Sequence, residues 1–376
     1  MQRIQKEIIL KDLKKKLVFI VGPRQVGKTW LSKEIMKEYK NPLYLSYDSL
    51  KDRKTIKSEI WPSNTDLIVF DEIHKMPKWK TYLKGIFDTK KDDLYILITG
   101  SASMNAHRNA GDSMAGRFRL HHLMPISIKE LKLDNLLREG SVNKLTDIGG
   151  FPEPYFSKSK DESLLWLNSY ADTLLREDIF DFKYIDNFKA IKDVFELIRT
   201  KVGSPISYSS IAENVGISSA TVKSYISILE SLYIIFLIKP YTKKVHRSIL
   251  KEPKVYFYNT GFVQGDEGVK FENMIAVSLL KHAHAQTDET GKVTILATLR
   301  NKQKNEVDFV LVENEEVKEM VEVKLSESKL SEGLKYFNSK YGWKGYQVVR
   351  DLRYALEPIP NMQIVKAEEY LKTLYI

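Results

Sequence analysis

Gly22-Pro23-Arg24-Gln25-Val26-Gly27-Lys28-Thr29 fits the pattern G-x-x-x-x-G-K-[ST] at every position. Ahead of it runs an apolar, β-branched segment, Leu17 to Val21, and behind it Trp30, Leu31, Ile35 and Met36 recur at helical spacing. The stretch reads as strand, loop, helix, the context in which such a loop binds phosphate. Its two glycines let backbone N–H groups turn inward around the anion, at the positive end of the helix that follows. The candidate nucleotide contacts are Gly22, Pro23, Arg24, Gln25, Val26, Gly27, Lys28, Thr29 and Trp30. Within that set Lys28 reaches the β- and γ-phosphates and Thr29 ligates Mg²⁺. A glycine-rich turn with a chance Lys-Thr pair would account for the motif but not for both flanks.

Further along, Pro42 to Tyr47 reads as a second strand, and Asp66 to Glu72 (DLIVFDE) as an unbroken apolar run ending in two acids. A central parallel strand, buried on both faces, has that form, with its carboxyl end opening at the ligand crevice. Asp71 is therefore the expected partner of Mg²⁺, and Glu72 is placed to orient the attacking water; a solvated strand end is the plain alternative for Glu72. No Asn-Lys-x-Asp run selects guanine, so ATP is the expected nucleotide. Leu94 to Thr99 is a further buried strand, and at its end Ser101 or Thr99 is a candidate to sense the γ-phosphate or simply to make the turn. Arg117 is a candidate arginine finger acting on a neighbouring copy in a homo-oligomer, or an ordinary salt-bridge partner.

A chain of 376 residues is too long for one core, so two or three domains are expected. Fifty-nine basic against 49 acidic residues give a net charge of +10, which favours a polyanionic partner without requiring one. With no cysteine, disulfides, Cys-type zinc sites and thiol catalysis are excluded together. A cytoplasmic protein fits that balance. No apolar run approaches the ~20 residues of a membrane span. Met1 to Lys16 reads as a charged amphipathic helix with Ile4, Ile8, Ile9 and Leu13 on one stripe, without a signal-peptide core.

GPRQVGKT, IVFDEIH, ITGSAS and AGRFRL, in this order and spacing, resemble the prokaryotic AAA-type ATPases, common in archaea, that carry a characteristic C-terminal domain of unknown function. GGFPEP (149–154) and KVYFYNTGF (254–262) extend the resemblance over nearly the whole chain. It implies an α/β, ASCE-class P-loop fold, ATP hydrolysis and Mg²⁺. One position departs from the pattern: Asn259 stands where relatives tend to have Asp before Thr-Gly.

In the middle of the chain, apolar residues from Glu162 to Arg199 fall at helical spacing (Leu164, Leu165, Leu167, Leu174, Leu175, Val194, Phe195, Ile198) and read as a helical lid. Ile206 to Leu229 reads as helix, glycine turn and helix, with Ser210 and Glu213 available as a capping box. Ile234 to Pro240 and Lys254 to Tyr258 flank a wing-type loop, which completes a winged helix-turn-helix. Val222, Ile226 and Leu229 face inward, leaving Ser218, Ser219, Thr221, Lys223 and Ser224 outward. The wing concentrates charge in Lys239, Lys243, Lys244, Arg247, Lys251 and Lys254. Lys223, Lys243, Lys244 and Arg247 are thus the candidate DNA contacts, suited to weakly specific, salt-dependent duplex binding. The bland alternative is a module that packs against protein, its lysines solvated.

Beyond Gly265, Phe271-Glu272-Asn273 opens a helix running to about Ala283, Val293 to Leu299 is a strand, and Glu306 to Leu325 holds a hairpin. With the turn centred on Glu315, Asp308 lies opposite Glu322 and Lys324 shares their face, while Val307, Phe309, Val321 and Val323 form the other, apolar face. Like charges opposed across a ladder are unfavourable unless a cation sits between them. Asp308, Glu322-x-Lys324 and the helical Glu272 resemble the PD-(D/E)xK nuclease core, in which carboxylates hold Mg²⁺ and the lysine positions water; an inherited scaffold with Lys324 neutralising the acids is the alternative. The seven histidines, His74, His107, His121, His122, His246, His282 and His284, form no metal-binding pattern.

The expected organisation is a nucleotide-binding domain over 1–130, a helical lid over 131–200, a winged helix over 201–262 and a restriction-endonuclease-like α/β domain over 263–376. The expected function is Mg²⁺-dependent ATP hydrolysis coupled to DNA binding, with an ATP-gated endonuclease and a non-catalytic signalling switch as alternatives.

Overall fold

The computed structural model describes residues 1–100, 114, 116–174, 187–242, 252–301, 303–327, 329–353 and 359–376. Ser101, Lys243, Lys244, Arg247 and Lys251 fall outside them. The chain forms two compact units, Met1–Met124 and Pro125–Ile376. Among the described residues, no helix is long and apolar enough to cross a membrane.

The first unit runs α1 (Lys6–Leu13), β1 (Leu17–Val21), α2 (Lys28–Met36), β2 (Pro42–Ser46), α3 (Leu50–Ser58), β3 (Leu67–Asp71), α4 (Trp79–Thr89), β4 (Tyr95–Thr99) and β5 (Phe118–His122). Its five strands lie in the order β2-β3-β4-β1-β5, all parallel. The strand bearing the two acids is thereby separated from the phosphate-loop strand by β4. Every residue of β1 is buried, and alternate side chains feed two cores. Val18 and Ile20 pack with Ile9 and Leu13 of α1 and Leu31 and Ile35 of α2. Leu17, Phe19 and Val21 pack on the other face with Ile56 of α3 and Leu83 and Ile86 of α4. Each such side chain contributes roughly 1.5–3 kcal/mol by leaving water. The expected stripe on the first helix is half right: Ile9 and Leu13 are buried, Ile4 and Ile8 only partly, and Arg3 and Gln5 are buried instead.

The second unit contains α5 (Ile128–Leu133), α6 (Ser141–Ile148), α7 (Pro152–Phe156), α8 (Lys160–Thr173), α9 (Phe188–Arg199), α10 (Tyr208–Val215), α11 (Ser219–Ser231), β6 (Ile235–Ile238), β7 (Lys254–Phe257), α12 (Glu267–Thr290), β8 (Thr294–Arg300), β9 (Glu306–Glu313), β10 (Glu316–Lys324), α13 (Glu332–Tyr341), β11 (Gly345–Val349), β12 (Met362–Lys366) and α14 (Ala367–Thr373). On α8, Leu167 and Tyr170 are buried while Leu164 and Leu165 face solvent. The α10–α11 pair turns at Gly216, whose φ of 74° is left-handed. Its N-terminus differs from expectation: Ser207 takes the cap position and Ser210 lies inside α10, so no capping box forms there. Val222, Ile226 and Leu229 are buried as the spacing predicts.

The five-stranded sheet has the order β12-β11-β10-β9-β8. Asn314 and Glu315, both with positive φ, make the β9–β10 turn, and a one-residue bulge at Lys318 shifts the ladder so that Val321 pairs with Phe309. A second irregularity, between β8 and β9, sets Asp308 and Phe309 against Thr298 alone. It separates Val307 from Phe309: Val307 packs with Val310 and Met320, whereas the Phe309 ring meets Tyr256. The expected shared face for Val307 and Phe309 is corrected by that bulge.

Helix α12 is longer than its periodicity suggests, because Asp266 caps it at Val269 and Gly291 ends it. It binds the unit together. Asn273, fully buried, accepts from the Phe257 N–H (2.8 Å) and donates to the Phe257 carbonyl (2.9 Å) and the Thr260 hydroxyl (3.1 Å). Lys281 pairs with Glu130 and donates to the Pro125 carbonyl, all in the interior. Replacing Asn273 by Leu strands the Phe257 peptide and is expected to cost about 2–4 kcal/mol in chemical denaturation; a loss below about 1 kcal/mol would count against this tie.

Candidate functional site

The carboxyl ends of β1, β3 and β4 meet in the first unit. Gly22 has φ 146°, and a Cβ there would lie 2.1 Å from the Leu123 carbonyl oxygen, so the loop packs closely against the chain leaving β5. Gln25 (φ 57°) and Gly27 (φ 102°) carry the turn into α2. Lys28, buried, donates to the Gly22 carbonyl at 2.9 Å and the Pro23 carbonyl at 2.6 Å, which folds its ammonium over the loop. Arg3, which its position in the sequence does not single out, is buried with its guanidinium donating to the carbonyls of Val26 (3.0 Å) and Met124. Val26 is buried, while Gln25, Thr29 and Trp30 reach solvent.

At the end of β3, Asp71 accepts from the buried Thr99 hydroxyl through Oδ1 and from the Tyr44 hydroxyl through Oδ2, both at 2.5 Å. Thr99, one of the two candidate sensors, thus spends its hydroxyl on Asp71. Tyr44, on β2, was invisible as a site residue in the sequence. Burial raises its phenol pKa, the Asp71 carboxylate adds to that, and a side-chain hydrogen bond with Thr29 works in the opposite sense. One hydroxyl therefore stands between the two expected magnesium partners. Such a donor set, a hydroxyl and a hydrogen-bonded carboxylate at the phosphate loop, suits Mg²⁺.

Glu72 follows directly, held by its N–H on the Thr99 carbonyl (2.9 Å) and by a left-handed backbone, φ 53°. Positive φ at a non-glycine residue is sparse and concentrates where geometry is fixed for a purpose. Burial raises the Glu72 pKa and Asp71 adds to the rise, while Lys28, Lys75 and Arg24 oppose it. His74 Nε2 lies 3.3 Å from Glu72 Oε2. Lys28, Asp71 and Glu72 are therefore electrostatically one group. Arg117 stands apart, paired in a two-point ion pair with Asp88 of α4 (2.9 and 3.3 Å).

A second cluster lies in the other unit, around the β9–β10 hairpin. The Asp308 N–H donates to Glu322 Oε2 (3.3 Å), and Asp308 Oδ2 accepts from the Val323 N–H (2.9 Å), so side chains continue the ladder where the strand pairing ends. Lys324 pairs with Glu322 at 2.8 Å. The added cation is Lys254: expected in the basic wing, it is buried instead, 2.8 Å from Glu306 and 4.0 Å from Glu272. Tyr256 donates to Glu272 at 2.7 Å. Burial and then Asp308 push both Glu272 and Glu322 up to about 7, against the pull of Lys254 on one and Lys324 on the other. Burial raises Asp308 too. Among the described residues, no three His, Cys, Asp or Glu side chains converge in a group that could hold a metal ion. Of the candidate DNA contacts, Lys223 is described and exposed, as are Ser218, Ser219 and Ser224.

Comparison with known proteins bears on these residues unevenly. Residues 14–132 match a family model described as an AAA domain, and residues 140–269 and 267–368 match two domains of unknown function, DUF8612 and DUF4143. An uncharacterized protein of Mycobacterium tuberculosis is 22% identical over 248 residues, 66% of this chain and 55% of the relative. Another, of Methanocaldococcus jannaschii, is 26% identical over 292 residues, 62% of this chain and 60% of the relative. The chain thus spans little more than half the length of these relatives. A Walker-type ATPase of Pyrococcus abyssi has 12% identity and a TM-score of 0.45, over 71% of this chain and 94% of that one. Residues 14–132 carry an AAA-type P-loop fold.

Proposed function

We propose that the first unit binds and hydrolyses ATP with Mg²⁺. The observation that carries this reading is the meeting of Lys28, Asp71 and Glu72 at the carboxyl ends of the strands, with Glu72 partly buried beside Asp71 and under the influence of Lys28. Thr29 and Asp71 would hold the Mg²⁺, which when bound neutralises phosphate charge. Lys28 leaves the loop carbonyls for the phosphates. Glu72, its pKa raised, is suited to accept a proton from the attacking water and to orient it. Arg117 keeps a role toward a neighbouring copy only if Asp88 releases it, and Ser101 remains a candidate sensor.

The paired helices and β6–β7 hairpin of the second unit read as a winged helix, with Lys223 and the outward hydroxyls of α11 toward duplex phosphates. For the PD-(D/E)xK-like cluster we favour a scaffold over a nuclease. The supporting observation is Lys254, a cation from the chain itself among the carboxylates. In this reading nucleotide state in the first unit controls what the second one binds.

Lys28→Ala is expected to abolish ATP turnover, and an unchanged rate would remove the assignment. Glu72→Gln is expected to keep nucleotide binding while lowering kcat by about 10²-fold or more. In gel shifts, DNA affinity is expected to fall steeply with salt, and Lys223→Glu to weaken it; salt-independent binding, or none at low salt, counts against DNA. Plasmid nicking with Mg²⁺ that is lost in Asp308→Ala but kept in Glu72→Gln would favour the nuclease instead.

Stability should follow pH through the same cluster. Glu272 and Glu322 titrate at about 7 in the folded chain against an ordinary 4.5, so the folded state keeps protons that the unfolded state has released. The stability they lend is complete below pH 4.5 and is lost as pH rises through 7. Glu272→Gln is expected to melt above wild type at high pH and to flatten that fall; melting below wild type there would overturn the scaffold reading.

A further inference from the structure

The phenol of Tyr44 lies where the proposed cation must be held. Its hydroxyl donates to Asp71 Oδ2 at 2.5 Å, and the Thr29 side chain lies near enough to act on the phenol against the carboxylate. The other carboxylate oxygen of Asp71 is committed to the buried Thr99 hydroxyl. Asp71 therefore has each oxygen engaged by a donor. Of the two donors, Thr99 is on β4 with no exposure, whereas Tyr44 is half-buried on β2. A cation brings its own waters, and these must donate to the same carboxylate. With Thr99 fully buried and Tyr44 only partly so, the oxygen that Tyr44 covers is the one we assign to those waters.

We propose that Tyr44 is a positioning residue that bridges Asp71 and Thr29 while no divalent ion is bound, and that it releases Asp71 when one binds. The inference rests on the reading of Thr29 and Asp71 as the magnesium partners. The phenol stands in for a metal-bound water: it donates to the carboxylate and faces the threonine side chain. In doing so it holds both groups at the cation position and offsets part of the cost of leaving a buried carboxylate without a cation. Cation binding then has to break a charge-assisted hydrogen bond, which lowers divalent affinity and leaves metal-free nucleotide binding alone.

The test measures free Mn²⁺ by electron paramagnetic resonance in the full chain saturated with ADP, alongside ADP affinity in EDTA. Tyr44→Phe is expected to bind Mn²⁺ about tenfold more tightly, the scale of one hydrogen bond to a charged group, with ADP affinity in EDTA unchanged. Equal or weaker Mn²⁺ binding by Tyr44→Phe overturns the proposal, as does a matching change in ADP affinity without metal. A wild-type crystal with ADP and Mn²⁺ gives a second measurement that needs no variant. There the Tyr44 hydroxyl should lie beyond hydrogen-bonding distance of Asp71 Oδ2, and a retained bond refutes the idea. Absence of any Mn²⁺ uptake by the wild type with ADP would instead overturn the assignment of Thr29 and Asp71 themselves.

Discussion

A parallel strand buried on both faces can carry charge only where it ends, and β1 and β3 are built under that constraint. All five residues of β1 and the first four of β3 are buried and apolar, so Lys28, Asp71 and Glu72 appear only beyond or at the last rung. There the sheet's own geometry gathers them. The cost of holding a carboxylate at such an edge, several kcal/mol if nothing compensates it, explains why Asp71 is bonded twice and why Glu72 holds its proton more tightly than usual. The features that suit this edge to phosphate chemistry are thus the ones the core imposes on it.

Much of this was legible in the sequence because the signals are local. Leu17 to Val21, the loop and Asp66 to Glu72 each announce themselves within a few residues, and the strand bounds fall within one residue of expectation. What could not be read was long-range. Nothing near Arg3 marks it as a clamp on Val26, because the contact spans 23 residues, and its partner Met124 lies 121 away. Tyr44 looks like any aromatic in a strand until β2 is known to lie beside β3.

The second unit shows the same limit in its charges. Lys254 read as one more basic residue of a wing, since burial of a lysine depends on acids that arrive 18 and 52 residues later, Glu272 and Glu306. The facing of Asp308 and Glu322 was predicted correctly but through a turn centred one half-step away. The true turn is two residues, Asn314 and Glu315, and the extra residue at Lys318 restores the sum.

That compensation has a consequence for how the hairpin can change over time. Side chains alternate strictly along a strand, and a bulge takes up one residue without advancing the partner strand. Delete Lys318 alone, and the regular ladder still sets Glu319 against Leu311 and Val321 against Phe309, so Glu322 keeps its place across from Asp308. A residue lost beyond the bulge, Met320 for example, would instead set Glu322 against Phe309, so lineages of this fold should vary in length at Lys318 and not between Glu319 and Glu322.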